Sequence, residues 1–488
     1  MLRALRWYDA ISINIYFMGL TTLSQTMTPL VIPLLVQQFV GEEKQGAYYG
    51  TIRLWTLMVA LLVQALMGLL SDHSTLRWGR RRPFIFVGTL ANLVIIIAIG
   101  LSAGLNGMSG YWFLFAMLIL LMVASNTAQA GAQGLIPDLV PRNLQGRYSG
   151  VKALFEVPIP LILMAFAVGR LIAAGNYWAG LIVAMVVLTI TMTITMLAPE
   201  KRFTGVKQAL DFQPFVRLLL MTAVFSSIIL IMGEIVGRVG DQIQQFDRTS
   251  LLLIMGAMGL LAMTIAIAIG VWLSIRISLG EAAKKNTSYS WWVINRLAFF
   301  VGSTNLASFA VFFLQGRLGL EKEQAAGPAS QLIMLVGIFI LLLAIPSGWL
   351  SDKFGPKTLV IVSGIFASLG TFILIISPTL PFMYIGGIIV GVATGLFYTS
   401  NWALGTGLVP QGEAGRYLGI SNLAGAGAGA VGAYIGGPIA DFFTVKFPEF
   451  PGLGYVLLYS VYGFLFVLSI LAVSRVKPND LSALSAAH

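Results

Sequence analysis

Apolar runs of about 20 residues, each long enough for a helix to cross a hydrocarbon core, follow one another along almost the whole chain. They leave few choices of fold. With 57% hydrophobic and only 10% charged residues among 488, a water-soluble domain has too little polar surface to cover itself. In lipid, only helices and closed barrels satisfy their own backbone groups, and runs without period-two alternation exclude the barrel. The expected fold class is therefore all-α and polytopic. The first run, 11–40, is too long for the apolar core of a leader and lacks a small-residue cleavage site, so none is expected. Cysteine is absent and the histidines are His73 and His488. Disulfides, thiolate sites and a histidine metal cluster are thus not expected.

Six runs are centred near Gly19, Val59, Val94, Ile119, Leu161 and Val187. A second six lie near Ala307, Phe339, Val362, Ile388, Ala430 and Leu465, and two more occupy 216–236 and 251–275. This predicts fourteen spans: an N-terminal half (1–200), a central linker with an extra hairpin (201–288), a C-terminal half (289–476) and a tail (477–488). Glu234, Arg238 and Asp241 crowd the end of the first extra run, so an interfacial or re-entrant segment stays open there. With both termini in the cytoplasm, most Lys and Arg, including Arg77, Arg80, Arg81, Arg82, Arg147, Lys353 and Arg416, fall on that side. That bias is the positive-inside rule. It accounts for the net charge of +11 without nucleic acid. The expected setting is a plasma membrane of the bacterial inner-membrane kind, with the bilayer and a small-molecule solute as partners and a monomeric state.

The halves repeat each other. Gly68-Leu-Leu-Ser-Asp72 recurs as Gly348-Trp-Leu-Ser-Asp352, and Leu139-Val-Pro141 with Gly146-Arg-Tyr as Leu408-Val-Pro410 with Gly415-Arg-Tyr. A parallel repeat of six-span halves is the architecture of alternating-access carriers, with the substrate site between halves at mid-membrane. After Asp72 comes a loop with His73, Arg77, Gly79 and Arg80-Arg81-Arg82-Pro83-Phe84-Ile85. A carboxylate at a helix end facing arginines on a glycine-hinged loop is a candidate latch, made in one conformation and broken in another. The expected gating set is Asp72, Arg77, Gly79, Arg80, Arg81, Asp352, Arg147 and Arg416.

This stretch resembles the major facilitator signature loop in the long form carried by plant sucrose transporters, approximately SDxCTSxxGRRRPFI. Ser71, Asp72, Thr75, Gly79 to Pro83, Phe84 and Ile85 match it. Thr28-Pro29, Leu62-Val63-Gln64, Asn126-Thr127-x-Gln129 and Leu135-x-x-Asp138-Leu139 are similar to the same family, the sucrose-transporter branch and its bacterial relatives. The resemblance implies a major facilitator fold, secondary transport and a sugar-type solute. It also implies proton coupling through an aspartate four residues before the NTxQ asparagine. Here that position is Met122, and the arginine of the same segment is Gln133. Loss of both members of a buried charge set is physically coherent, since either alone is costly.

Asn126, Gln129 and Gln133 share one helix face by their spacing, as do Thr394, Tyr398 and Asn401 beside Trp402. Amides, hydroxyls and aromatic faces suit a neutral polyhydroxylated solute. Gln25 joins this expected substrate-binding set, and interhelical hydrogen bonding is the plainer reading of the same residues. Two charges lie deeper: Glu156, just before Pro158 and Pro160, and Arg296. Glu156 serves either an ion pair, with Arg296 or with Lys152, or proton coupling. Neither a nucleophile–base pair nor a phosphate-cradling glycine loop is found, so no enzymatic activity is expected. Nor is a cofactor expected beyond a possible coupling proton. The expected function is alternating-access transport of a small polar organic solute, foremost a sugar or glycoside. An uncoupled facilitator or an exporter of amphipathic molecules is the alternative.

Overall fold

The computed structural model describes residues 6–141, 144–200, 211–280, 287–409 and 414–477. The side chains of 146, 345, 414–419, 422–424 and 426 fall outside that description. Every regular element among the described residues is helical, as a backbone immersed in lipid requires. In chain order these are α1 (Trp7–Val40), α2 (Gln45–Asp72), α3 (Arg82–Ser102), α4 (Gly107–Leu139), α5 (Arg147–Ala173) and α6 (Tyr177–Thr195). Then come α7 (Gln213–Gln242), α8 (Arg248–Leu279), α9 (Thr287–Ser308), α10 (Ala310–Leu318) and α11 (Ala326–Phe354). The chain ends with α12 (Pro356–Ile376), α13 (Leu380–Thr406), α14 (Ala414–Lys446) and α15 (Leu453–Ser474). Among the described residues twelve helices are long and apolar enough to cross a membrane, α7 and α8 among them. The pair α9 and α10, bent by 60°, makes a thirteenth when taken as one span.

Two compact units are present. The first comprises residues 1–39 and 59–216, the second 40–58 and 217–488. Most of the stretch 201–288, expected from the sequence to be a separate central linker, falls in the second unit from 217 onward, and the first turns of α2 are grouped there too.

In the first unit, α1 and α5 each contain a widened π-helical turn, Met27–Val31 and Met164–Val168. Pro29 lies inside the first, where its missing N–H leaves the regular ladder one donor short. Pro158 and Pro160 precede the second, and the helix breaks at Val157, whose φ and ψ are −121° and −70°. Small residues let α3 and α4 meet backbone to backbone. A Cβ at Gly88 would sit 2.6 Å from the carbonyl oxygen of Ala124, which is how helices associate where lipid supplies no hydrophobic drive between them.

In the second unit, α8 packs on α9, α14 and α15. Phe299 stacks on Phe397 with ring centroids 3.6 Å apart, and Phe313 on Tyr459 at 4.0 Å. The start of α2 lies against α14: a Cβ on Gly46 would meet the Gly437 carbonyl at 2.6 Å, and one on Gly50 the Ala433 carbonyl at 2.4 Å. Asp247, in the turn before α8, caps that helix by accepting from the N–H of Thr249 at 3.0 Å and of Ser250 at 3.2 Å.

Candidate functional site

The arginine loop of the first unit folds around Arg81. This guanidinium is almost fully buried and reaches three elements. Nε donates to Asp138 Oδ2 of α4 at 2.6 Å, Nη2 pairs with Asp72 Oδ1 of α2 at 2.5 Å, and Nη1 donates to Ser71 Oγ at 3.0 Å. Burial works against its charge, but the Asp138 hydrogen bond and the charges of Asp138 and Asp72 outweigh it and hold its pKa above the ordinary value. Gly79 has φ +113°, and a Cβ there would lie 2.5 Å from the Glu200 carboxyl carbon. Glu200, which follows α6, accepts from the backbone N–H of Arg80 at 2.6 Å, Arg81 at 2.7 Å and Arg82 at 3.1 Å. Its carboxylate therefore caps the start of α3.

The loop thus brings Asp72, Gly79, Arg80 and Arg81 together, with Arg80 pairing to Asp72 at 3.9 Å. Arg77 and Arg147 are exposed, and Asp352 is exposed without an ion pair among the described residues. The side chain of Arg416 lies outside the described residues. Asp138 belonged to a matched motif but was given no role from the sequence, and Glu200 was not singled out.

The amide face of α4 divides on inspection. Asn126 is buried and donates to its own helix at Met122 O, 2.8 Å away. Gln129 is half-buried. Gln133 is exposed and accepts from Gln64 Nε2 of α2 at 3.1 Å. On α1, Gln25 is half-buried and Ser24 exposed. Glu156 forms its ion pair with Lys152, at 3.6 Å, and the same ammonium lies 4.2 Å from the Phe17 ring. Of the two structural partners expected for Glu156, this is the one the described contacts supply.

The second unit holds a polar cluster between α9 and α13. Arg296 Nη1 donates to Asn401 Oδ1 at 2.8 Å, Asn401 Nδ2 to Asn295 Oδ1 at 2.9 Å, and Asn295 Nδ2 to the Ser469 carbonyl at 2.8 Å. Trp292 Nε1 closes on the Asn401 carbonyl at 2.9 Å. The α13 set expected to share one polar face is therefore split. Thr394 and Asn401 are buried, with Thr394 bonded to the Val390 carbonyl, while Tyr398 and Trp402 are exposed. Spacing alone placed the four side by side. Packing against α9 takes the shorter ones and leaves the two large rings outside.

The end of α14 carries a buried carboxylate, Asp441, that sequence inspection passed over. Its Oδ1 accepts from Gly46 N and its Oδ2 from Ala47 N, both at 2.7 Å. It also lines a cavity of about 330 Å³ with Glu43, Lys44, Asp241 and Lys446.

Comparison with solved structures decides the architecture. The chain superposes on a D-xylose-proton symporter with a TM-score of 0.63 at 16% identity, covering 97% of this chain and 99% of that one. The fold is that of the major facilitator transporters. A nucleoside transporter gives a TM-score of 0.64 at 12% identity over 95% of this chain and 99% of that one. Residues 292–486 match the family model described as Major Facilitator Superfamily. By sequence the chain is similar to a sucrose transport protein of Arabidopsis thaliana, 28% identical over 33% of this chain and 32% of that protein. It is also similar to solute carrier family 45 member 4 of Homo sapiens, 40% identical over 16% of this chain and 10% of that protein. The matched stretch spans about a third of the Arabidopsis protein's length. The matches are to proteins named as transporters or solute carriers, and the chain shares the fold of the solved ones.

Proposed function

We propose that the protein is a secondary transporter that moves a small polar organic solute, foremost a sugar or glycoside, across a bacterial inner membrane by alternating access. Fourteen spans, cytoplasmic termini and a monomer complete the reading. The observation that carries it is the facilitator fold in a chain whose partial sequence matches are named sucrose transport proteins. The proposed solute contacts are, in the second unit, the exposed rings of Tyr398 and Trp402 and, in the first unit taken by itself, the amides of Gln25, Gln129 and Gln133. Asn126 and Asn401 stiffen the helices behind them. The arginine loop around Arg81 acts as the gate latch, with Asp72 and Arg80 at its wetter edge and Asp352, Arg147 and Arg416 as the corresponding charges elsewhere.

An uncoupled facilitator is the second reading, and Met122 favours it. The residue stands where the sucrose-transporter pattern carries its coupling aspartate. Glu156, paired with Lys152, is the remaining coupling candidate on this side of the chain, and Arg296 the other charge at depth.

The deciding experiment is uptake of radiolabelled disaccharides by purified protein in liposomes, with and without an imposed pH gradient. Concentrative uptake under the gradient supports a proton symporter, and its loss in Glu156→Gln assigns the coupling residue. Uptake that only equilibrates supports the facilitator. No uptake of any sugar by reconstituted protein removes the sugar reading.

A further inference from the structure

Helix α8 is long and apolar enough to cross a membrane, and the face it leaves uncovered has an order of its own. The exposed residues Leu261, Ile265, Ile269, Trp272 and Arg276 follow one another at intervals of four, four, three and four, which places them on one side of the helix. From Leu261 to Trp272 that side rises about 16 Å at 1.5 Å per residue, close to one leaflet of a hydrocarbon core about 30 Å thick. Three aliphatic side chains, then an amphipathic ring, then a cation match a phospholipid read from acyl chain to headgroup.

At the charged end of this face the surface is hollowed. A cavity of about 380 Å³ lies between the end of α8 and the start of α9, and its lining includes Trp272, Ile275, Arg276, Thr287, Ser290 and Trp291. All of these belong to the second unit. The guanidinium carbon of Arg276 lies 4.6 Å from the Trp272 ring centroid, and that of Arg475, just after α15, lies 5.6 Å from the ring of Trp291. The indoles position the two cations without supplying a counter-charge. No carboxylate among the described residues pairs with either arginine. On the α9 side the hydroxyls of Thr287 and Ser290 add neutral donors suited to phosphate oxygens.

We propose that this cavity holds the headgroup of one anionic phospholipid of the phosphatidylglycerol kind, with Arg276 and Arg475 as its counter-ions and an acyl chain along the exposed face of α8. A basic pocket between membrane helices, on the side expected to face the cytoplasm, is where such headgroups are retained. A zwitterionic lipid brings its own ammonium, which two arginines repel. Inorganic phosphate would meet the cations but leave the aliphatic face uncovered. The bound lipid would tie α8, in the stretch expected to be an extra hairpin, to α9, the first helix of the second set of six. The inference needs the chain to lie in a bilayer and is independent of the solute it moves.

The test uses full-length protein purified in detergent, supplied with equimolar phosphatidylglycerol and phosphatidylcholine and read by native mass spectrometry for the lipid it retains. The expected result is one phosphatidylglycerol per chain, retained at least about tenfold over phosphatidylcholine. Arg276→Gln should lower that preference by about fivefold, and Arg276→Gln/Arg475→Gln should abolish it. Arg276→Lys, which keeps the charge, should keep most of it. Ser290→Trp fills the cavity with both cations in place and should lose it. Lys353→Gln removes a cation from over the Trp349 ring, outside the cavity lining, and should leave the preference unchanged. Equal retention of the two lipids, a preference that survives in the double variant or in Ser290→Trp, or an equal loss in Lys353→Gln overturns the proposal. Displacement of the lipid by millimolar inorganic phosphate overturns it as well, since the site would then be one for a free anion.

Discussion

Arg81 joins two carboxylates, and the structure makes them unequal. Asp72 lies 2.5 Å from Nη2, but its side chain is 52% exposed. Water and salt screen such a pair, so its loss is worth about 0.5 kcal/mol. Asp138 lies 2.6 Å from Nε, its side chain is 26% exposed and its partner's only 6%. A charge-assisted bond made there contributes about 2 kcal/mol, and removing one partner leaves a buried guanidinium with a weaker counter-ion. For a unit of this size about 1 kcal/mol corresponds to roughly 2–4 °C in melting temperature. Asp138→Asn is therefore expected to lower the melting temperature by about 4–8 °C and Asp72→Asn by about 1–2 °C. Both are measured by fluorimetric melting of detergent-purified protein, with Asp72→Asn/Asp138→Asn as the third corner of a cycle. The double variant should exceed the sum of the single ones, because the second loss leaves Arg81 without any carboxylate. Equal shifts for the two single variants, or a larger one for Asp72→Asn, would refute the ranking by burial. Asp72 would then be the structural anchor and not the labile edge of a latch.

Two further outcomes follow from the caps. Asp441→Ala strands the N–H groups of Gly46 and Ala47 in a buried seam and should cost about 2–4 kcal/mol. Asp441→Asn, which keeps one acceptor, should cost about half, and a melting temperature unchanged in both refutes the clamp. Asp247 is held below the usual carboxylate range, chiefly by the Ser250 hydroxyl and then by the Ser250 and Thr249 N–H groups. Its folded pKa is depressed, so its cap is fully in place above the unfolded pKa and is lost as pH falls through the folded one. Hydrogen exchange at Thr249 and Ser250, corrected for intrinsic rates, should accelerate on acidification in the wild type, and in Asp247→Ala should be fast throughout. Acid-insensitive protection in the wild type overturns this.

The fold was legible because lipid narrows it so far. A run of about 20 apolar residues has one way to satisfy its backbone, so the helices could be placed from length alone. What length does not carry is the break within a run. Such breaks are the 60° bend between α9 and α10 at Phe309 and the π turns of α1 and α5, which form at Pro29 and shortly after Pro158 and Pro160. Nor does a repeated motif ensure a repeated contact. Gly68–Asp72 and Gly348–Asp352 match in sequence, yet Asp72 faces a nine-residue arginine loop while α11 passes to α12 through Gly355 alone. With no loop to carry cations back, Asp352 stays exposed.

The candidate site was half legible for a related reason. Arg296 stands out by its depth, but its link to Asn401, 105 residues away, lies in no linear pattern. The helical spacing of Thr394, Tyr398 and Asn401 gives a common direction without saying which side chains a neighbouring helix will cover. Glu200 and Asp441 were missed because an acid at a helix end looks ordinary. Yet a signal for them exists. Before α3 the capping position is Arg81, and before α2 it is Lys44. Neither side chain can accept a hydrogen bond, so neither can serve the free N–H groups that begin a helix. The first helix, which also opens on a basic residue, Arg6, has an acid in its own first turn, Asp9; for α3 and α2 the acceptor comes from a distant part of the chain. In this protein it comes both times from the acid that ends another helix or follows it closely: Glu200 after α6 for α3, and Asp441 of α14 for α2. At α3, on the side expected to be cytoplasmic, the positive-inside bias of residues near helix starts toward Lys and Arg creates this demand by leaving no Ser, Thr, Asp or Asn to cap; Lys44, on the opposite side, owes nothing to that bias. In such chains an unassigned acid at a helix end is a candidate for the missing cap.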